Sequence, residues 1–264
     1  MGVLNRTPDS FSDGGRYTAF DTALRHAETL VREGADILDV GGESTRPGAE
    51  AVGVQQELDR VIPLIERMGG LGVPVSVDTS KPEVMRAAVG AGAAMINDVY
   101  ALRRPGALAA AAESGAGLCL MHMQGEPRSM QKDPQYRDVT AEVAAFLKER
   151  AEAAVAAGVT RDAIALDPGF GFGKNLEHNL TLLRRLPELG ALGFPLLVGL
   201  SRKSMIGTLL GGKPVEERLQ GSVAAAVIAV LHGAYIVRVH DVAATVDALK
   251  VTAAVRRGMI ELRP

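Results

Sequence analysis

The strongest constraint on the fold is an alternation, repeated eight times, of a short apolar run with a longer amphipathic stretch. The short runs are typical of buried parallel strands, and the longer stretches carry apolar residues at helical spacing. We predict strands at Met1–Leu4, Asp36–Val40, Val73–Val77, Ala94–Ile96, Leu118–Met121, Ala163–Leu166, Leu196–Val198 and Tyr235–Val239. We predict helices at Thr22–Arg32, Gln56–Met68, Pro82–Val89, Ala107–Glu113, Val139–Ala157, His178–Leu189, Arg218–Leu231 and Ala244–Arg257. This order predicts a closed (β/α)8 TIM barrel, with an open doubly wound sheet as the alternative.

Length and composition narrow the class of protein. The 264 residues, 47% of them hydrophobic, are expected to form one domain spanning 1–264. A formal net charge of −2 without a basic tract argues against a nucleic-acid partner. No apolar run has the ~18 residues of a membrane span and no signal peptide is seen, so we expect a cytoplasmic protein. The single cysteine, Cys119, is expected to be a small core residue.

Polar or ionisable residues stand at the end of every predicted strand. Because the carboxyl ends of parallel barrel strands share one face, these residues are expected to form one site. A helix N-cap would explain Asp78 alone, but eight successive strand ends favour a shared site. In chain order they are Asn5, Asp39 with Glu43, Asp78, Asn97 with Asp98, His122, Asp167, Ser201 with Arg202 and Lys203, and Arg238 with His240.

The stretch 167–174 follows the sixth strand and has unusual chemistry. It begins with the carboxylate of Asp167 and continues with a proline, three glycines and Lys174. Pro168 breaks the phosphate-loop template, and Lys174 stands where a dinucleotide-binding loop needs its third glycine. We interpret the stretch as a site for a flat, nitrogen-rich ring, bound by Asp167 and by aromatic contact with Phe170 and Phe172.

Two loops are longer than barrel folding requires, and they occupy residues 5–15 and 41–48. Both are rich in glycine, small hydroxyl residues and charge, which favours lids that order over a substrate. Plain surface turns would explain the glycines and prolines but not Phe11 or Arg46.

Two hydrolase chemistries are disfavoured. The segment Gly199–Lys203 lacks the final glycine of a nucleophile elbow. The histidines, which are His26, His122, His178, His232 and His240, have no zinc-ligand spacing. Any metal is expected to be a hard cation such as magnesium, held by a few protein oxygens and by phosphate.

Seven motifs, taken in order, resemble those of the dihydropteroate synthase family. They are Met1–Gly15, Gly41–Gly48, Ser76–Lys81, Ile96–Asp98, Asp167–Lys174, Ser201–Ser204 and Arg238–Asp241. The resemblance covers nearly the whole chain. It implies a TIM barrel, usually a homodimer, that condenses 6-hydroxymethyl-7,8-dihydropterin diphosphate with 4-aminobenzoate. The products would be 7,8-dihydropteroate, for folate synthesis, and pyrophosphate.

The resemblance also implies roles for individual residues. The pterin diphosphate would be bound by Thr45, Asp78, Asn97, Met121, Asp167, Phe172, Lys203, Arg238 and His240. Catalysis would involve Asn5, Lys203, Arg238 and His240, with Mg2+ held through Asn5 as pyrophosphate departs. The aminobenzoate, which sulfonamides mimic in this family, would meet Phe11, Arg46, Pro47, Arg202 and Ser204. On chemical grounds, and not from the resemblance, a carboxylate such as Asp13 is a candidate to stabilise positive charge on the pterin.

Two departures from the family pattern and two alternative functions accompany this resemblance. The chain begins within the first strand, and Arg6 stands where valine is commoner in the family. One alternative is a pterin-binding methyltransferase, which has no use for a diphosphate site, and another is a non-catalytic paralogue, which would lack a member of the diphosphate set. Asn5, Arg238 and His240 argue against both. Helix residues Val223–Leu231 fit either packing on the barrel or a dimer interface.

Overall fold

Eight parallel strands form one closed sheet in a computed structural model that describes residues 1–5, 16–44, 52–127 and 129–257. The strands are β1 Gly2–Asn5, β2 Leu38–Gly41, β3 Val75–Asp78, β4 Met95–Asp98, β5 Gly117–Met121, β6 Ile164–Asp167, β7 Leu196–Val198 and β8 Ala234–Val237. Each strand pairs with the next in the chain. The sheet closes where Gly2 bridges Val239, just after β8. The predicted (β/α)8 barrel is confirmed.

Helices surround the sheet. They are α1 Arg16–Arg32, α2 Val54–Met68, α3 Pro82–Gly90, α4 Ala107–Ser114, α5 Val139–Ala156, α6 Leu176–Arg184, α7 Leu186–Gly190, α8 Ser204–Leu209, α9 Leu219–Leu231 and α10 Val242–Arg257. The predicted helix His178–Leu189 is divided between α6 and α7, because Pro187 cannot donate a backbone hydrogen bond within a helix but fits the first turn of a new one. Helix α8 was not predicted from the sequence.

The main core lies between the sheet and the helices. In α2, for example, Val61, Leu64, Ile65 and Met68 recur at helical spacing and are all buried. A second cluster fills the barrel interior, where Cys119 packs with Met1 and Leu197. Burial raises the pKa of the Cys119 thiol, and its predicted place in the core is confirmed.

Helix α9 has two different apolar faces. Its Ala225, Ala226 and Ala229 are buried against the barrel, whereas Ile228 and Leu231 are exposed. The packing interpretation is therefore confirmed for one face of α9, and the other face is exposed. Among the described residues, no helix combines the length and apolar character needed to cross a bilayer.

Candidate active site at the carboxyl ends of the strands

Four neighbouring strands place residues of their carboxyl ends side by side. Asn5 pairs in register with Gly41, Gly41 with Asp78, and Asp78 with Asn97. This common register brings three of the predicted polar residues to one level at the mouth of the barrel. Gly41 leaves the space between two of them open, since a Cβ there would lie 3.2 Å from Oδ1 of Asn5 and 3.6 Å from Cβ of Asp78.

A buried carboxylate connects these residues across the barrel. Oδ2 of Asp39 accepts a hydrogen bond from Nε of Arg238 at 2.6 Å and from Nδ2 of Asn97 at 3.2 Å. Arg238 also donates through Nη2 to Oδ2 of Asp78 at 3.1 Å. The side chain of Asp39 is fully buried. One network therefore fixes residues predicted to bind the pterin together with the arginine predicted to bind the diphosphate.

Burial and charge shift proton affinities within this network. Burial and the neighbouring charge of Asp39 raise the pKa of Asp78 to about 8, although Arg238 opposes the shift. Burial alone would lower the pKa of Arg238, but Asp39 and Asp78 outweigh it and hold that pKa above its ordinary value. Arg238 therefore remains a cation, and such clustered shifts are typical of functional sites.

Asp78 does not cap the helix that follows it. The residue before α3 is Lys81, and the helix begins at Pro82 without a side-chain cap. By contrast, Asp138 caps α5 by accepting hydrogen bonds from the backbone N–H groups of Thr140 and Ala141. The position of Asp78 at the barrel mouth therefore has no helix-capping explanation.

Asp167 and Lys203 form the opposite side of the site. Oδ1 of Asp167 accepts a hydrogen bond from the backbone N–H of Gly169 at 2.7 Å, and burial raises the pKa of Asp167. Lys203 donates to the backbone carbonyl of Phe170, and its Nζ lies 4.8 Å from the ring centroid of Phe172. Burial lowers the pKa of Lys203 to about 8, so the ammonium form predominates below that pH.

An apolar wall completes this side. Met121 and Phe172 belong to one cluster, together with Met123 and Met130. Met121 is also the residue of β5 that pairs in register with Asp167. Polarisable sulfur and an aromatic ring beside a carboxylate suit a flat heterocycle that has polar edges.

The ends of β7 and β8 contribute the remaining described residues. Nδ1 of His240 lies 3.0 Å from Oγ of Ser201. The guanidinium of Arg202 is paired through two bonds with Asp241, from Nε at 2.9 Å and from Nη2 at 2.5 Å. Ser204 is the first residue of α8.

The two predicted lids lie partly outside the described residues. This applies to Arg6, Phe11 and Asp13 of the first lid and to Thr45, Arg46 and Pro47 of the second. The ends of the second lid are described. Oε1 of Glu43 accepts a hydrogen bond from the backbone N–H of Val52 at 3.0 Å, and its Oε2 lies 2.6 Å from Nζ of Lys81.

Three features of this region were not predicted from the sequence. Asp39 was placed among the strand-end residues but was given no binding or catalytic role, although a carboxylate between Leu38 and Val40 in an apolar run is itself a signal. Lys81 pairs with fully buried Glu57 at 2.5 Å as well as with Glu43. Lys174, which was considered only as a position that breaks a motif, is buried beside the loop after β6.

Known proteins match this geometry over most of the chain. The family described as pterin binding enzyme matches residues 1–240. Dihydropteroate synthase of Escherichia coli (strain K12) is 55% identical over 255 residues, covering 96% of this chain and 90% of that protein. The Yersinia pestis dihydropteroate synthase structure with a sulfonamide drug complex has a TM-score of 0.93 and 52% identity, covering 97% of this chain and 94% of that one. A Xanthomonas albilineans dihydropteroate synthase in complex with 7,8-dihydropteroate has a TM-score of 0.88 and 54% identity, covering 97% and 92% respectively.

Proposed function

The chain belongs to the dihydropteroate synthase family of pterin binding enzymes, and on that premise we propose how its residues divide the reaction among them. The enzyme joins 6-hydroxymethyl-7,8-dihydropterin diphosphate to 4-aminobenzoate, forming 7,8-dihydropteroate for folate synthesis and releasing pyrophosphate. The observation that carries the proposal is the hydrogen-bond network centred on Asp39, which joins Asn97, proposed for the pterin, to Arg238, proposed for the diphosphate.

We assign the pterin to the pocket between Asp78, Asn97 and Asp167. A dihydropterin presents ring and exocyclic N–H donors beside acceptors, so carboxylates and an amide complement its edge. The ammonium of Lys203 meets an acceptor atom of the ring. Its charge is already close to Phe172, whose ring contacts one face of the pterin.

The diphosphate lies towards Arg238 and His240. Arg238 keeps its positive charge because two carboxylates flank it, so it stabilises negative charge that develops on the leaving group. His240 is oriented by its contact with the hydroxyl of Ser201. Thr45, outside the described residues, is assigned to the same substrate on the resemblance alone.

We place Mg2+ at Asn5. The amide oxygen of this residue is a hard ligand, and the glycine at position 41 leaves open the space beside it that a Cβ would narrow. The described residues contain no group of three or more histidine, cysteine or acidic side chains arranged to hold a metal. A site with few protein ligands fits magnesium, which keeps several waters and takes phosphate oxygens. When bound, Mg2+ supplies positive charge to the departing pyrophosphate.

The aminobenzoate lies towards α8. Arg202 has the edge of its guanidinium occupied by Asp241, which leaves the planar face of the group for the benzoate ring. Ser204 is an exposed residue at the start of α8, and its hydroxyl is assigned to the aminobenzoate carboxylate. Phe11, Arg46 and Pro47 are assigned to this substrate by resemblance and lie outside the described residues.

The chemical step exchanges one bond at the pterin methylene carbon. The C–O bond to the diphosphate breaks, and pyrophosphate departs with the electron pair. The amine of 4-aminobenzoate then forms the C–N bond and loses a proton. The electron-rich dihydropterin carries the positive charge between these events, and Asp13 is proposed to stabilise it. The protein acts by orienting the substrates and by placing Arg238 and His240 beside the leaving group.

Binding of pyrophosphate tests the metal assignment separately from turnover. We expect Mg2+ to strengthen pyrophosphate binding to the parent protein, and Asn5→Ala to reduce this gain by about tenfold. Gln55→Ala, which removes an exposed amide on α2, should leave the gain unchanged. Titration calorimetry at varied magnesium concentration measures both. Equal gains in pyrophosphate affinity from magnesium in Asn5→Ala and the parent would show that Asn5 does not hold the metal.

We propose that the enzyme is a cytoplasmic homodimer that associates through α9 and α10. Ile228 and Leu231 of α9 and Val251 and Val255 of α10 are exposed apolar side chains. The two helices adjoin where Arg256 donates to the carbonyl of Val230 at 3.2 Å. An exposed apolar surface of this kind is typical of an interface.

Light scattering coupled to gel filtration tests the dimer. Leu231→Glu should shift the protein towards the monomer, whereas Val155→Glu, an exposed valine on α5, should not. A parent protein that is monomeric at micromolar concentration would refute this part of the proposal.

A further inference from the structure

The loop after β6, comprising Gly169–Gly173 and called the β6 loop below, accepts a side-chain hydrogen bond at every one of its carbonyl groups. Lys174 donates to the carbonyls of its first and fourth residues, both at 3.0 Å. Lys203 donates to the second carbonyl and Gln131 to the third. The hydroxyl of Tyr136 donates to the fifth at 2.8 Å. Side-chain donors therefore satisfy the carbonyl groups of this loop, which in a strand are satisfied by backbone pairing.

The side chain of Lys174 has as many N–H donors as this position has partners for them. Its ammonium is almost fully buried and has three N–H donors, two of which bind the β6 loop carbonyls. The third partner is Nδ1 of His122 at 2.9 Å. Burial lowers the pKa of Lys174 well below its ordinary value, but where Lys174 is the ammonium it has no acceptor, so Nδ1 of His122 accepts and His122 is neutral with its proton on Nε2. Burial and the charge of Lys174 lower the pKa of His122 to about 2, in agreement with that state.

The β6 loop needs such support because its backbone is otherwise poorly restrained. Gly169, Gly171 and Gly173 have φ angles of +69°, +78° and +63°, a region that glycine adopts without steric cost. Glycine also loses more conformational freedom on folding than any other residue. The loop nevertheless fixes two proposed pterin contacts, because the N–H of Gly169 donates to Asp167 and Phe172 lies within the loop.

Two of the donors come from the neighbouring connection between β5 and α5. Gln131 and Tyr136 both lie there. This connection lies close against the β6 loop, since a Cβ on Gly173 would lie 2.3 Å from the carbonyl oxygen of Gln124. The ring of Tyr136 is held in turn by His178, with centroids 4.9 Å apart. The β6 loop thus depends on residues outside the predicted pterin-binding set.

We propose that Lys174, Gln131 and Tyr136 are positioning residues for pterin recognition. They hold the β6 loop so that Asp167 and Phe172 are already placed when the substrate arrives, and they do not touch the substrate themselves. This inference rests on the proposed pterin site. It adds residues that influence pterin binding only by holding the β6 loop.

Steady-state kinetics with two substrates provide the test. Tyr136→Phe removes one hydroxyl and keeps the ring, and we expect it to raise KM for the dihydropterin diphosphate about fivefold. Lys174→Met removes two loop hydrogen bonds and should raise KM for the dihydropterin diphosphate by roughly tenfold or more. KM for 4-aminobenzoate should stay at the parent value in both. Tyr235→Phe and Lys250→Met make the same chemical changes at exposed positions and should resemble the parent.

A merely structural role would lower the amount of active enzyme without separating the two KM values. Tyr136→Phe is mild enough to fold, so an unchanged KM for the pterin substrate in that variant would overturn the inference even if Lys174→Met is insoluble. Asp167→Asn, measured alongside, distinguishes failure of the positioning inference from failure of the proposed pterin site. If it loses pterin affinity while Tyr136→Phe does not, only the positioning inference is wrong. If both variants keep the parent's affinity, the proposed pterin site is wrong as well.

Discussion

Nε of Arg238 lies 2.6 Å from Oδ2 of Asp39, which joins the end of β8 to β2 across the mouth of the barrel. Oδ1 of Asp39 has no hydrogen-bond partner among the described residues. The side chain of Asp39 is fully buried. A buried charge of this kind is costly unless a cation accompanies it. Arg238 therefore serves the stability of the barrel as well as the proposed leaving-group site.

Asp39→Asn should destabilise the protein more than an ordinary carboxylate substitution does. The substitution leaves Arg238 with Asp78 as its one carboxylate partner among the described residues, and we expect a loss of up to about 3 kcal/mol in the free energy of unfolding. Urea unfolding measures it. Asp36→Asn provides the matched control, because Asp36 is exposed just before the same strand. Equal stability of the two variants would contradict a structural role for the Asp39–Arg238 pair.

Asp167→Asn should weaken pterin binding by about tenfold or more, because an amide presents N–H donors where the pterin ring also presents donors. Calorimetry with a dihydropterin ligand measures the affinity. Asp162→Asn changes an exposed carboxylate just before the same strand and should bind like the parent. Unchanged affinity in Asp167→Asn would remove this residue from the pterin site.

Gly169→Ala should be more damaging than Gly158→Ala, although both glycines have positive φ angles, +69° and +102°. The unfavourable backbone conformation costs about 1–2 kcal/mol at either position. A Cβ at Gly169 would also lie 1.8 Å from the carbonyl oxygen of His122, whereas nothing lies within 4 Å of one at Gly158. The backbone around His122 must therefore move. Urea unfolding and pterin affinity should both separate the variants, and similar values for the two would contradict the packing described above.

His122 should make the protein less stable as the pH falls. The folded state keeps the ring neutral down to a pKa of about 2, whereas the ordinary value is 6.5, so the unfolded chain takes up more protons below pH 6.5. The free energy of unfolding should therefore fall, from this residue alone, by up to about 1.4 kcal/mol per pH unit below that value.

His122→Asn keeps an acceptor for Lys174 but cannot titrate, so its free energy of unfolding should fall less steeply with acid than that of the parent. His26→Asn, at an exposed position of α1, should follow the parent curve. Urea unfolding between about pH 7 and about pH 5 makes the comparison. Parallel curves for His122→Asn and the parent would show that the ring takes up a proton in the folded state.

The barrel and the level of its polar residues were predictable from sequence. The spacing of the strands along the chain and their parallel order determine the barrel and the face that carries the strand ends. Asn5, Asp78 and Asn97 could therefore be assigned to one face from the sequence. The division between α6 and α7 was also signalled by Pro187 but was overlooked.

The connections between side chains were not predictable in the same way. The bond between Asp39 and Arg238 joins residues 199 positions apart, and no local pattern specifies which carboxylate an arginine will meet. Lys174 follows a polar, glycine-rich loop, where a solvent-exposed lysine is the ordinary expectation. It points inward because His122, 52 residues earlier, supplies a neutral acceptor next to two loop carbonyls. Such pairings depend on tertiary packing, which sequence periodicity does not encode.

The most direct test of the central claim is to measure pyrophosphate release from dihydropterin diphosphate and magnesium, with and without 4-aminobenzoate, while following dihydropteroate. We predict that 4-aminobenzoate accelerates release and that one dihydropteroate forms for each pyrophosphate. Tight binding of the pterin substrate without coupled release and product would contradict the claim, and would favour a non-catalytic pterin-binding protein or a pterin-dependent methyltransferase.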